Sequence, residues 1–213
     1  VTVMGVSRKM NEPFFVLATQ NPIEQDGTYP LPEAQMDRFM FKLVVNNPSL
    51  EELKGIVTMT QNTMGEVANE ACNAEQLLKM RETANQIPVA DEVLNFAMTL
   101  ISATHPDSEC ASETAKKYVR LGSSPRGGQA LISAAKVKAL MNGRFNVSYS
   151  DIASLAYPVL RHRMKMNFEA IAERVSPDTV IGMILTEVAK KCNVRLGNEV
   201  SNPNHAGANK KNK

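Results

Sequence analysis

A run of five apolar residues, 14 to 18, lies between Pro13 and the polar sequence Thr19-Gln20-Asn21-Pro22. A run this short, wholly apolar and bounded by turn-forming residues predicts a strand that is buried on both faces, as in the parallel sheet of an α/β domain. Such sheets bind their ligands at the carboxyl ends of the strands. We therefore expect Thr19, Gln20 and Asn21 to lie at the ligand-binding edge.

Strand and turn signals continue on both sides of this run. Alternation around Gly5 in residues 1–8 predicts a hairpin. The loop from Pro22 to Pro32 contains too many prolines and glycines for regular structure, and a short helix follows from Glu33 to near Phe39. Residues 41–45 predict a second strand, and Ser49 is a good cap for a helix that runs to about residue 62.

Apolar spacing of three and four residues predicts that the chain is helical from about residue 73. Its expected inward-facing residues are Leu77, Leu78, Met80, Ala84, Val93, Leu94, Ala97, Met98, Ile101, Val180, Ile181, Ile184, Leu185 and Val188. Residues 106–117 predict a polar loop that could include a helical turn, and Pro125 predicts a helix start. Residues 130–141 predict a helix that Asn142-Gly143 ends, Ser150-Asp151 predicts a further helix cap, and Pro177 predicts the start of a last helix. The fold class is thus α/β followed by all-α, with domains 1–72 and 73–192 and a disordered polar tail 193–213.

Charge and cysteine usage exclude several classes of protein. The net charge of +2 comes from interleaved acidic and basic residues, so no broad footprint for nucleic acid is present. No apolar run is long enough to span a bilayer, and the three cysteines are scattered without a CxxC pair. We expect a soluble cytoplasmic protein with reduced thiols, no metal site and no membrane insertion.

Three stretches resemble the MoxR family of AAA+ ATPases. They are FFVLATQNPIEQDGTYPLPEAQMDRF at 14–39, LGSSPRGGQAL at 121–131 and VLRHR at 159–163. The resemblance implies the C-terminal part of an AAA+ αβα P-loop core, carrying sensor 1 and the arginine finger, followed by a helical lid that carries sensor 2. The resemblance further implies that the intact protein is an ATP hydrolase that works as a ring of six subunits, with ATP and Mg²⁺ as cofactors.

The resemblance gives roles to three residues. Asn21 matches the sensor-1 residue, whose amide could orient an attacking water, although an Asn before Pro22 also simply starts a turn. Arg38 matches the arginine finger, with a surface pair to Asp37 as the alternative. Arg126 matches sensor 2; it stands at a helix start, where a cation favours a nearby anion, but a solvated arginine remains the alternative.

A basic cluster follows at Arg161, His162, Arg163 and Lys165. Nucleic acid could be its ligand, but cations at a helix end also suit the helix dipole, which we favour.

Neither a G-x-x-x-x-G-K-[ST] loop nor a Walker-B strand occurs in the sequence. We therefore expect the isolated chain to be inactive and the intact protein to couple ATP hydrolysis to chaperone-like remodelling of client proteins, with von Willebrand factor A domain proteins as partners by family analogy. Alternatives are a magnesium-chelatase-like motor subunit, a non-catalytic helical interaction module and a helical nucleic-acid binder.

Overall fold

The structure is a computed structural model that describes residues 2–20, 31–61 and 69–197. Asn21, the loop at 22–30 and residues 198–213 of the expected tail lie outside the described residues. By its internal contacts the chain divides into two units, Val1–Pro22 with Leu43–Glu82, and Ile23–Lys42 with Thr83–Lys213. The segment that carries Arg38 therefore groups with the helical part of the chain, whereas the boundary near residue 72 stays a prediction.

The described residues form short strands and mostly longer helices. In chain order these are β1 (Thr2–Val3), β2 (Val6–Ser7), α1 (Glu33–Met36), α2 (Leu50–Gln61), α3 (Ala74–Asn85), α4 (Asp91–Ala103), α5 (Glu113–Tyr118), β3 (Val119–Leu121), α6 (Pro125–Met141), α7 (Tyr149–Leu160), β4 (Lys165–Met166), α8 (Phe168–Ala172) and α9 (Pro177–Lys191).

The first unit confirms two of the local predictions. Strands β1 and β2 pair antiparallel, and Met4 and Gly5 between them have φ values of 50° and 78°, as a tight hairpin turn requires. Helix α2 begins after Ser49, whose hydroxyl accepts from the Glu52 amide while the Glu52 carboxylate accepts from the Ser49 amide. This reciprocal pair is a capping box, and it fixes the start of the helix.

The two core strands predicted at residues 14–18 and 41–45 are wrong for this structure. Both stretches have no regular secondary structure, and Phe15, Leu17 and Val45 are 86%, 84% and 93% exposed. A buried strand exists only where neighbouring strands supply hydrogen bonds and cover its faces. Within the described residues no strand lies beside either stretch.

The second unit has one hydrophobic core, built from α4, α6, α7 and α9. The five residues predicted to face inward on α9 are all buried, at 2% exposure or less. On α4, Val93, Ala97 and Ile101 are buried as predicted, but Leu94 and Met98 are 38% and 40% exposed. Predicted inward positions on α3 are mostly wrong: of Leu77, Leu78, Met80 and Ala84, only Ala84 is buried.

Helix α8 and the antiparallel pairing of Val119–Leu121 with Lys165–Met166 were not predicted. The helical turn allowed within 106–117 is present as α5, which extends to Tyr118. The cap predicted at Ser150-Asp151 is wrong by two residues: Ser148 is the N-cap of α7, and Asp151 at N3 completes its capping box. The predicted starts at Pro125 and Pro177 are confirmed, as is the end of α6 before Gly143, where φ is 68°.

In the described part of the chain, no helix has both the length and the apolar character that crossing a bilayer requires.

Candidate functional site

Arg38 lies in the turn that follows the short helix α1. Its side chain is exposed, and no hydrogen bond or ion pair joins it to another described side chain. Arg38 lines an open cleft whose other residues are Asp37, Met40, Arg126, Gln129, Ala130, Ser133 and Arg163. The structure thus brings together two of the three predicted site residues, Arg38 and Arg126, in one cleft.

The N-terminus of α6 forms the opposite wall of this cleft. Ser124 caps the helix by accepting a hydrogen bond of 3.2 Å from the Arg126 amide, and Pro125 at the first helical position needs no acceptor. Gly127 is required by close packing, since a Cβ there would lie 2.1 Å from Ser123 Oγ. Arg126 is consequently carried on a rigid, tightly packed helix start, with its own side chain 56% exposed.

Asp37 joins the two walls. Its carboxylate accepts from Ser124 Oγ at 2.8 and 2.9 Å and from Arg126 Nη1 at 3.2 Å, and lies 3.2 Å from Arg163 Nε. Burial raises the pKa of Asp37, but the hydrogen bonds from Ser124 and Arg126 and the charge of Arg163 outweigh burial and hold the pKa below its usual value. Asp37 is therefore ionised at neutral pH.

Three consecutive side chains after α7 hold the backbone around Arg38. We call Arg161, His162 and Arg163 the RHR clamp. Arg163 donates to the carbonyls of Asp37 (3.0 Å), Phe39 (2.7 Å) and Met40 (3.2 Å). His162 Nε2 donates to the Phe39 carbonyl at 3.0 Å, and Arg161 Nη1 donates to the Lys42 carbonyl at 3.0 Å.

The RHR clamp is itself held in place by acidic and backbone partners. Arg161 makes a bidentate pair with Asp178 at 3.0 and 2.9 Å, and the Lys42 amide donates to the Pro158 carbonyl at 2.9 Å near the end of α7. Lys165 pairs with Glu33 at 3.2 Å. All four members of the predicted basic cluster thus bind the segment 33–42. The prediction that they serve only the helix dipole does not account for these contacts.

Burial sets the protonation of the RHR clamp. His162 is 7% exposed, and burial lowers its pKa more than the hydrogen bond to the Phe39 carbonyl raises it. The imidazole is therefore neutral at neutral pH and carries its proton on Nε2. Burial also lowers the pKa of Arg163, with Asp37 opposing the shift, but a guanidinium remains charged in proteins.

Sequence reasoning missed Asp37, Ser124 and the RHR clamp as parts of this site. The clamp binds backbone carbonyls, and a carbonyl acceptor can belong to any residue type, so the sequence of its partner segment carries no matching signal. The VLRHR string is part of the family resemblance, but its contacts with Asp37, Phe39 and Met40 join residues more than 120 positions apart in the chain.

The charges of the cleft suit an anion. Arg38, Arg126 and Arg163 line it against one carboxylate, that of Asp37, and the exposed Arg38 and Arg126 can reach a ligand. A phosphate group fits this donor set. No group of three or more His, Cys, Asp or Glu side chains able to hold a metal ion occurs among the described residues.

Two family models match the chain. The model of the ATPase family associated with various cellular activities (AAA) matches residues 1–41, and the model of the AAA lid domain matches residues 111–183. The first match includes Arg38 and the second includes Arg126 and the RHR clamp. The cleft is therefore formed where matched parts of the ATPase domain and of the lid meet.

Known proteins resemble most of the chain. Chaperone MoxR1 of Mycobacterium tuberculosis is 37% identical over 189 residues, which are 89% of this chain and 50% of that protein. The protein YeaC of Bacillus subtilis is 35% identical over 191 residues, which are 88% of this chain and 56% of that protein. Protein MoxR of Paracoccus denitrificans is 27% identical over 160 residues, which are 70% of this chain and 47% of that protein. The chain thus spans about half the length of the curated relatives it matches.

A solved structure agrees with these matches. A protein from Cytophaga hutchinsonii with a provisional ATPase assignment superposes with a TM-score of 0.80 at 34% identity, over 87% of this chain and 57% of that one. The predicted fold class, a partial AAA+ αβα core followed by a helical lid, is confirmed. The chain belongs to the MoxR family of AAA+ ATPases, of which it holds a C-terminal portion that includes the lid.

Proposed function

We propose that this chain is the part of a MoxR-type ATPase that completes a nucleotide site with Arg38 as the arginine finger and Arg126 as sensor 2. The observation that carries the proposal is the shared cleft, in which two exposed guanidinium groups stand on rigid supports within one chain. A planar, permanently charged guanidinium neutralises the charge that develops on a transferring phosphoryl group. Asn21 is proposed as the sensor-1 residue on the sequence resemblance alone.

The whole protein is proposed to act as a ring, of six subunits by family resemblance, in the cytoplasm. In a ring the finger of one subunit reaches the nucleotide of its neighbour. Because Arg38 and Arg126 line one cleft, we infer that both act on that neighbouring nucleotide. ATP with Mg²⁺ supplies the phosphoryl group and its counter-charge, while this part of the chain supplies the two guanidinium groups.

Chaperone-like remodelling of client proteins is the work we propose for the hydrolysis. The relative named Chaperone MoxR1 supports this assignment. Partners with von Willebrand factor A domains remain a proposal from the family resemblance. The nucleic-acid binder is disfavoured, because Arg161 and Arg163 are 12% and 2% exposed and engaged within the protein. No observation on the described residues favours the chelatase-like motor.

The function is tested by Arg38→Ala in the full-length protein that contains this chain. We expect kcat for ATP hydrolysis to fall by about a thousandfold or more, since an arginine finger contributes about 10³ to 10⁵ in rate. Nucleotide affinity should stay within about threefold, because a group that acts only in the transition state adds little to ground-state binding.

Arg120→Ala is the matched control, because Arg120 is an exposed arginine on β3 outside the cleft. Its hydrolysis rate should equal that of the wild type. Full activity in the Arg38→Ala protein, or loss of nucleotide binding without a change in kcat, would exclude the finger role.

A further inference from the structure

Arg163 is deeply buried, with 2% of its side chain exposed, yet its guanidinium contacts the backbone on both sides of the exposed Arg38. Nη2 donates to the carbonyls of Asp37 and Phe39 at 3.0 and 2.7 Å, and Nη1 donates to the carbonyl of Met40 at 3.2 Å. One rigid planar group therefore fixes the peptide group that precedes Arg38 and the carbonyls of the two residues that follow it.

The same guanidinium is anchored to the helices of the lid. Nη1 also donates to the Val159 carbonyl in the last turn of α7, and Nε lies 3.2 Å from Asp37 Oδ1. Its aliphatic part packs at the start of α6, where a Cβ on Gly127 would lie 3.2 Å from Arg163 Cδ. Arg163 thus connects the end of α7, the start of α6 and the turn that carries Arg38.

We propose that Arg163 is a positioning residue for Arg38, and that through it a movement of the lid moves the finger. The grouping of residues 23–42 with the helical part of the chain supports this connection independently of any single bond. The proposal rests on the proposed function, since it takes Arg38 to act on a phosphoryl group. Arg163 itself is too buried to be the group that meets the nucleotide.

Only an arginine can make this set of contacts. The guanidinium has five N–H donors in a fixed plane, whereas a lysine has one ammonium group that cannot span three carbonyls in one geometry. Arg163→Lys therefore keeps the charge and removes the positioning. Arg120→Lys is the matched control, because it makes the same change at an exposed arginine on β3, outside the cleft and outside the RHR clamp.

The test uses the full-length protein with Arg163→Lys, Arg120→Lys, Arg38→Ala and the double variant Arg163→Lys/Arg38→Ala. We expect Arg163→Lys to lower kcat by about tenfold or more, because a displacement of about 1 Å at a reacting group can cost about a hundredfold. KM and nucleotide affinity should change by less than about threefold. In the Arg38→Ala background, Arg163→Lys should have no further effect on kcat, which a general loss of structure would not reproduce.

A second measurement is independent of hydrolysis. The amides of Arg38 and Phe39 donate within the turn to the carbonyls of Gln35 and Met36 at 3.2 and 3.1 Å. Hydrogen exchange at these two amides should become faster by about tenfold in Arg163→Lys and stay unchanged in Arg120→Lys. If Arg163→Lys does not fold, Arg163→Gln provides the same test, because its amide offers two N–H donors in place of the five of a guanidinium and brings no charge into the buried site.

The outcomes separate the two proposals. Wild-type exchange in Arg163→Lys, or an equal loss of kcat with and without Arg38, would overturn the positioning role. A wild-type protein without ATP turnover, or one indifferent to Arg38→Ala, would overturn the proposed function, and the exchange rates would then decide alone whether Arg163 holds the turn.

Discussion

Asp37 pairs with two arginines whose surroundings differ. The Arg163 side chain is 2% exposed, and Asp37 is 16% exposed, so that pair is shielded from water. The Arg126 side chain is 56% exposed, and an exposed ion pair stabilises a protein by no more than about 1 kcal/mol. An anion that carries several charges can therefore compete with Asp37 for Arg126, while Arg163 remains paired.

His162 provides a prediction at the same scale. Because burial lowers its pKa below 6.5, the unfolded chain binds a proton as the pH falls through that value, while the folded protein does not. The neutral His162 side chain thus makes its full contribution to the free energy of unfolding above pH 6.5. This contribution is lost as the pH falls toward the lowered pKa of His162 in the folded protein. Protonation would also place a second N–H at Nδ1, which is buried and has no hydrogen-bond partner among the described residues.

When the pH is lowered from about 7 to about 5, we expect the melting temperature of the wild type to fall by more than that of His162→Gln. The Gln amide can still donate to the Phe39 carbonyl. The Asp37 carboxylate does not contribute in this window, since its pKa is lowered from 3.8. Equal shifts in both proteins would contradict the expected pKa of His162.

Helix α7 shows how one element supports the site at its far end. Ser148 caps its start, and Asp151 accepts from the Ser148 amide at 2.9 Å and from Arg144 at 2.6 and 2.8 Å. Burial raises the pKa of Asp151, but the hydrogen bonds from Arg144 and Ser148 outweigh burial and lower it. The helix start is thus fixed by charge and capping, while its last turn presents carbonyls to Arg163 and Lys42.

The position of this cap can be tested with two serines two residues apart. Ser148→Ala should lower the free energy of unfolding by about 1 kcal/mol, because it removes the hydroxyl that accepts from the Asp151 amide and donates to the Asp151 carboxylate. Ser150→Ala should change it by less than about 0.5 kcal/mol, since Ser150 is exposed on the first turn. Urea denaturation of both variants measures the difference, and a larger effect at Ser150 would contradict the observed cap.

At the scale of the whole molecule, the two units differ in how much of their apolar surface is buried. The unit that contains Thr83–Lys213 has a continuous core of α4, α6, α7 and α9. In the other unit, residues 14–18 and 43–45 are apolar and largely exposed. Apolar segments of this kind are covered in a complete sheet, and about half the length of the matched relatives lies outside this chain.

This contrast predicts the pattern of hydrogen exchange for the 213-residue chain. Amides in α4, α6, α7 and α9 should exchange about a thousandfold or more slowly than those of residues 14–18 and 43–45, because the core opens only at a cost of several kcal/mol. Mass spectrometry of exchanged peptides measures the ratio. Slow exchange at residues 14–18 would contradict the exposed conformation. If that slow exchange disappeared on dilution, a second copy of the chain would be covering these residues.

The sequence by itself determined the local features, namely the hairpin turn at Met4-Gly5, the cap at Ser49, the helix starts at Pro125 and Pro177, and the inward face of α9. These depend on backbone preferences and on side chains within a few residues of each other. The strings around Arg38 and Arg126 also identified the family. Helix α8, which was not predicted, is too short for a periodic signal.

Only the tertiary structure decided that Arg38 and Arg126 share a cleft, that Asp37 joins them, and that the RHR clamp holds the turn around Arg38. These contacts join residues about 90 to 126 positions apart, and many of them end on backbone carbonyls that any residue provides. It also decided that residues 14–18 form no strand here. A strand depends on neighbours that supply its hydrogen bonds, which its own sequence cannot do.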